Sequence, residues 1–179
     1  MPQLTIWASF ASSKGTGDAE WSTPSNATGA PNGSVTTVAL DADQLSSGLV
    51  LDYPATPIGG VITNIEVLLR ASISDPSALD VMSISGGFGS LAIGFPPIEP
   101  TATLTTYAQT AIGIRSEAKD AIEAGLTGGL IVAQSGSVPA TFSVDAVGIR
   151  VSYINGGSGG SGPLAGPVIK GLPLGIVLP

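Results

Sequence analysis

The chain is 179 residues long, with 25 glycines, 14 prolines and a net charge of -7 from six basic and thirteen acidic residues. Charged residues make up 11 % of it, against about 25 % in an ordinary domain, a balance that favours short strands and turns and offers a phosphate backbone no basic footprint. With no histidine and no cysteine, a Ser-His-Asp or Cys-His nucleophile, a thiolate or imidazole zinc site, a His-ligated haem and a disulfide framework are all excluded.

Residues 4–10 carry Ile6, Trp7 and Phe10 and predict a first strand. Met1-Pro2-Gln3-Leu4 lacks a basic leader and the apolar run after it is short, so no targeting signal is expected and the chain is expected to fold in the cytosol. No stretch of 18 apolar residues occurs, so neither a membrane span nor a membrane partner is expected. A mean hydropathy of +0.43 instead points to burial against other subunits.

Residues 11–34 are rich in Ser, Thr, Gly, Asn and Pro and read as a long loop pinned at Trp21. Strands are expected over 35–40 and 48–53, then a stiff turn over 53–60. A long strand follows over 61–73, with Val61, Ile65, Val67, Leu69, Ala71 and Ile73 on one face and Asn64, Glu66, Arg70 and Ser72 on the other. Residues 79–85 and 90–95 bracket a Gly86–Gly89 turn, which lacks the Lys-Ser/Thr and helix of a phosphate loop. Residues 101–114 read as one strand or two.

The sole helix is expected over 116–124, with Gly125 as its terminating glycine, and strands over 130–133 and 141–154 close the domain. In the last strand Phe142 and Val144 are even whereas Val147, Ile149, Val151 and Tyr153 are odd. A β-bulge at Asp145-Ala146 reconciles both halves with one core. The pattern predicts an all-β fold, a two-sheet antiparallel jelly-roll-like β-sandwich with one short helix and an extended C-terminal arm. An immunoglobulin-like sandwich without its cysteine pair is the alternative.

Three segments follow from composition: a sandwich domain over 1–154, a Gly/Ser linker over 155–162 (NGGSGGSG), and an apolar Pro-rich arm over 163–179 (PLAGPVIKGLPLGIVLP). Four prolines bar the arm from being a helix or a central strand, and at about 3.3 Å per residue it reaches roughly 55 Å. It is expected to lie in a groove of a partner subunit through Leu164, Val168, Ile169, Leu172, Leu174, Ile176 and Leu178. The other reading of 155–179 is an engineered linker with a fused peptide.

The segment Trp21-Ser22-Thr23-Pro24-Ser25-Asn26-Ala27, running on to Asn32-Gly33-Ser34, resembles the W-x-N-P-x-N-A-x-x-x-D-G-S opening of a β-sandwich module of tailed-phage virion proteins. Ile58–Val67 is similar to that module's I-P-x-G-A-x-I-x-G-I-E-V strand, and Val144–Tyr153 to its closing V-D-A-V-x-V-x-V-x-Y strand. Thr23 replaces the first Asn and Asn32 the Asp, both small polar turn formers that keep the loop and weaken any metal role. Such modules sit on heads, necks and tail fibres, so the resemblance implies a virion protein assembled in the host cytoplasm.

Trp21 with Pro24, Asn26 and Asn32-Gly33 has two readings. It is a glycan platform, an indole face with amides for hydroxyls, or a plug in the end of the sandwich, with the Asn residues closing turns on their own backbone. Asp41 and Asp43, with Asp52 or Asp18, are a weak oxygen-ligand set for Ca²⁺ and more simply a solvated loop. The two glycosylation sequons, at Asn26 and Asn32, carry no meaning without a secretion signal.

Carboxylate pairs for glycoside hydrolysis could come from Asp75, Asp80, Glu99, Glu117, Asp120 and Glu123, but no aromatic cleft surrounds them. On the helix, Glu117, Lys119, Asp120 and Glu123 read as solvating its outer face, with Lys119 and Glu123 at i,i+4. The expectation is therefore a non-enzymatic capsid decoration or cement protein without cofactor, metal or nucleic acid. Its partner is the major capsid protein or another virion subunit, in a homo-oligomer or multi-copy array. A tail-fibre or neck protein, a host-glycan adhesion module and a carboxylate glycosidase are the rivals.

Overall fold

The computed structural model describes residues 1–14, 19–41, 46–76, 81–88, 91–111, 118–133 and 138–155. Ten strands and one helix follow in order: β1 (Gln3–Trp7), β2 (Phe10–Lys14), β3 (Thr36–Leu40), β4 (Ser46–Tyr53), β5 (Gly60–Ile73), β6 (Val81–Phe88), β7 (Leu91–Gly94), β8 (Thr105–Thr110), α1 (Ala118–Ala124), β9 (Leu126–Ala133) and β10 (Ala140–Asn155). They form two five-stranded antiparallel sheets. In one, β10 lies between β5 on one side and both β1 and β3 on the other, with β8 beyond β5; the other runs β2-β4-β9-β6-β7. The all-β jelly-roll-like sandwich expected from the sequence is the fold. The arm and all but Asn155 of the linker lie outside the described residues.

Alternation builds the core. Ile65, Val67, Leu69, Ala71 and Ile73 of β5 face Leu49 and Leu51 of β4 and Leu130 and Val132 of β9 in one buried cluster, with Phe142, Val144, Val147, Ile149 and Val151 of β10 beside them. The register of β10 on β5 jumps between Val144, opposite Ala71, and Ala146, opposite Arg70, so Asp145 is the extra residue of a bulge where the parity switch placed one.

A second register shift, between Ser152 opposite Asn64 and Tyr153 opposite Ile62, was not expected. It turns Val61 outward, 61 % exposed, and brings Ile62 against the core instead. The single face read for 61–73 therefore begins at Ile65.

Other boundaries differ from the sequence reading, and of the strand expected over 101–114 the described residues form only Thr105–Thr110. The first strand and the start of the following loop are two strands in different sheets. Ala8 N still donates to Val147 O in one sheet (3.0 Å), whereas Ser9 N donates to Asp52 O in the other (2.8 Å). Ala8, 1 % exposed, marks the crossing. Strand β2 escaped notice because FASSK is an edge strand whose polar residues suit its position.

Gly86, Gly87 and Phe88 are strand residues paired with Ile93, Ala92 and Leu91, so the expected turn begins later; Gly89 lies outside the described residues. Strand β9 starts at Leu126 rather than residue 130, because β4 offers it a partner along its full length, Leu126 on Tyr53 through Ala133 on Ser46. Helix α1 buries Ala118 and Ile122, one turn apart, and Gly125 ends it at φ +93. No helix among the described residues is long and apolar enough to cross a membrane.

Candidate functional site

The loop from Ala19 to Val35 is fastened from both sides. Trp21 N donates to Ser13 Oγ of β2 (3.2 Å). Ser22 bridges to Thr37 of β3, its N to Thr37 O at 2.8 Å and its Oγ to Thr37 Oγ1 at 2.8 Å. Thr36 Oγ1 donates to Ser22 O. These bonds hold the Trp21 indole between the sheets, 4 % exposed and within the main core cluster. Its Nε1 is buried with no acceptor, so packing holds the ring. An indole so placed has no face for a sugar, and the platform built on Trp21 is thereby corrected: the residue occupies the plug position.

The asparagines behave likewise. Asn26 sits in a 3-10 turn, Pro24–Ala27, and its Nδ2 donates to Val35 O (2.9 Å) across the loop. Asn32 Oδ1 accepts from Ser34 N (2.7 Å), a turn closed on its own backbone. Both amides are committed to shaping the loop.

The far end of that loop rests on Asp145. Asn32 N donates to Asp145 Oδ1 (3.1 Å), Gly33 N reaches both carboxylate oxygens at 3.1 Å, and Arg70 Nε lies 3.2 Å from Oδ2. The carboxylate is fully enclosed and Arg70 37 % exposed. Gly33 holds φ +87, a conformation in which its N–H and that of Asn32 both turn toward the carboxylate. The bulge supplies the geometry: it turns Asp145 and Ala146 to the outer face in succession, and the loop covers the acid. This anchor was not found in the sequence, although the Val-Asp-Ala-Val string and the parity switch both pass through it.

The remaining candidates are dispersed. Asp52 Oδ1 accepts from Thr127 Oγ1 (2.7 Å), Asp41 is exposed, and Asp43 and Asp18 lie outside the described residues. No group of three or more acidic side chains that could hold a metal gathers among the described residues.

Of the carboxylates considered for hydrolysis, Asp80 and Glu117 lie outside the described residues, and Glu99 and Asp120 are exposed. Glu123 does more than solvate the helix. Its Oε1 accepts from Ile58 N at 2.8 Å and lies 3.7 Å from Lys119 Nζ, pinning α1 to the turn after β4. Leu164, Val168, Ile169, Leu172, Leu174, Ile176 and Leu178 of the arm lie outside the described residues.

No family model matches the sequence. No curated protein matches it. Solved structures similar to it include a family 29 carbohydrate-binding module from Piromyces equi, at 10 % identity over 85 % of this chain and 93 % of that one with a TM-score of 0.44. A module from Cellvibrio mixtus lichenase 5A in complex with cellotriose matches at 17 % identity over 84 % and 97 %, with a TM-score of 0.40. A family 11 module from Clostridium thermocellum matches at 10 % identity over 82 % and 94 %, also at 0.40. TM-scores below 0.5 do not establish a common topology.

Proposed function

We propose that the chain is a structural virion protein of a tailed phage, a capsid decoration protein that clamps neighbouring major capsid subunits through its C-terminal arm and carries out no catalysis. The observation that carries this reading is that the sandwich completes itself before the arm begins. Strand β10 is paired with β5 out to Asn155 and with β3 and β1 along parts of its other edge, and its alternate residues from Phe142 to Val151 fill the core; on this reading the arm's aliphatic groups serve a partner. The likeness of Trp21–Ser34, Ile58–Val67 and Val144–Tyr153 to the phage module supports the virion setting.

An arm of this kind gains from burial and from number. Each fully buried Leu or Ile contributes about 1.5–3 kcal/mol before ordering entropy is subtracted. When several neighbours tie down one protein, linkage raises effective concentration without new contacts.

Removing residues 156–179 tests the reading. The truncated protein should melt within about 5 °C of the full chain, a shift of 1–2 kcal/mol at most for a domain of this size, yet fail to add to particles assembled without it. If truncation unfolds the sandwich, the arm completes its own domain and the clamp reading falls.

A further inference from the structure

The second tryptophan lies where the first does not, on the outer face of the β1-β10-β5-β8 sheet. Trp7 stands opposite Gly148 on β10, Gly148 opposite Leu68 on β5, and Leu68 opposite Ala108 on β8. Their neighbours Ile6, Ile149, Val67 and Leu69 point into the core, so this row points out. A Cβ on Gly148 would come within 2.5 Å of Trp7 Cε3 and 2.7 Å of Cζ3. The six-membered ring therefore lies against the bare backbone of Gly148, a placement any other residue would forbid. Trp7 is half-buried.

Charge pairs flank the ring along the strands. Two residues one way along β10, about 6.7 Å, Arg150 Nε meets Glu66 Oε2 at 2.8 Å, with side chains 32 % and 17 % exposed, between Thr5 on β1 and Thr110 on β8. The other way lies Arg70 with Asp145, and beyond Arg70 stands Thr106. The bond between Arg150 and Glu66 uses Nε and Oε2, and by register both residues stand on the same face of the sheet as the ring, two positions along from Gly148.

We propose that this face binds a neutral oligosaccharide of equatorially linked hexopyranoses, one sugar ring stacked on Trp7 and its hydroxyls held by Arg150 and Glu66. A sugar hydroxyl donates and accepts at once, and a guanidinium beside a carboxylate supplies the complement of both. The C–H face of a pyranose suits a flat indole, and an extended, equatorially linked chain lies along a sheet. A net charge of -7 disfavours acidic polysaccharides. A protein interface would be built from several large exposed apolar groups at its centre, whereas here Leu68 is already covered, at 8 % exposed, and the ring is flanked by threonines and ion pairs. The proposal is independent of the arm.

The test is titration of the full chain with gluco-, galacto- and manno-configured β-1,4-linked tetrasaccharides, read by calorimetry and tryptophan fluorescence. At least one should bind saturably with a Kd below about 1 mM, and Trp7→Ala and Glu66→Gln should each weaken it at least tenfold. A ring over a strand glycine also shields the sheet, so Trp7→Ala can lose stability; thermal melts report this, and Glu66→Gln, which keeps shape and volume, decides if Trp7→Ala does not fold. Absence of binding by all three sugars overturns the proposal, as does binding that a folded Trp7→Ala or the Glu66→Gln protein retains undiminished.

Discussion

Thr23 is the one non-glycine residue with positive φ among the described residues, at φ 47 and ψ 62, and its side chain does not cap the 3-10 turn it precedes. A left-handed conformation costs an L-residue about 1–2 kcal/mol, and Asn tolerates it best after Gly. The phage module carries Asn at this place. Thr23→Asn should therefore raise stability by about 0.5–1 kcal/mol, seen as a higher denaturant midpoint at an unchanged slope. Trp21 gives the opposite kind of prediction. Trp21→Ala should cost about 3–5 kcal/mol, as deletion of a buried aromatic does. Trp21→Phe should cost much less, because the indole N–H it removes has no acceptor; paired denaturant melts check both.

At the scale of elements, β10 organises the fold, and its bulge joins two functions of one residue. Asp145 breaks the ladder so that both halves of β10 face the core, and it receives the loop that carries Trp21. Asp145→Ala keeps the strand but strips two backbone N–H groups of their shared acceptor and Arg70 of its counter-ion. It should cost about 2–4 kcal/mol and expose the 30–34 segment to faster amide exchange, a local effect that separates loss of the anchor from general loosening.

The bulge was legible because alternation is a local signal and its phase changed within one strand. The anchor was not, because its donors lie 112 and 113 residues away in sequence, and no periodicity spans that distance. Strand β2 was missed for a different reason: an edge strand has to bury little, so FASSK carries only a faint alternation. Trp7 was legible as a strand residue and illegible as a surface one, since its role depends on Gly148 standing opposite, a matter of register.

At the scale of the molecule, the fold depends on a core that includes a buried phenol. Burial pushes the Tyr53 hydroxyl above its ordinary value of 10.0, so the folded state resists its ionisation. The stability involved is fully present below about pH 10 and is lost as pH rises beyond that, because the unfolded chain releases the proton first. The wild-type protein should lose stability between pH 10 and 12, and Tyr53→Phe should flatten that part of the profile in thermal melts across the range. The break in composition at Asn155 coincides with the last residue of β10, while the arm expected beyond it lies outside the described residues.

The position of β10 also decides how the domain bears tension. Any pull transmitted from beyond Asn155 enters at the end of a strand laddered to β5 from Phe142 to Asn155, with β1 and β3 along its other edge. Directed along the strand, such a force strains those hydrogen bonds together in shear, rather than one after another as in unzipping. The opposite terminus has no comparable grip, since β1 offers five paired residues on a single side. On the clamp proposed above, a particle swelling under internal pressure would thus pull on the part of the sandwich that is mechanically hardest to draw out.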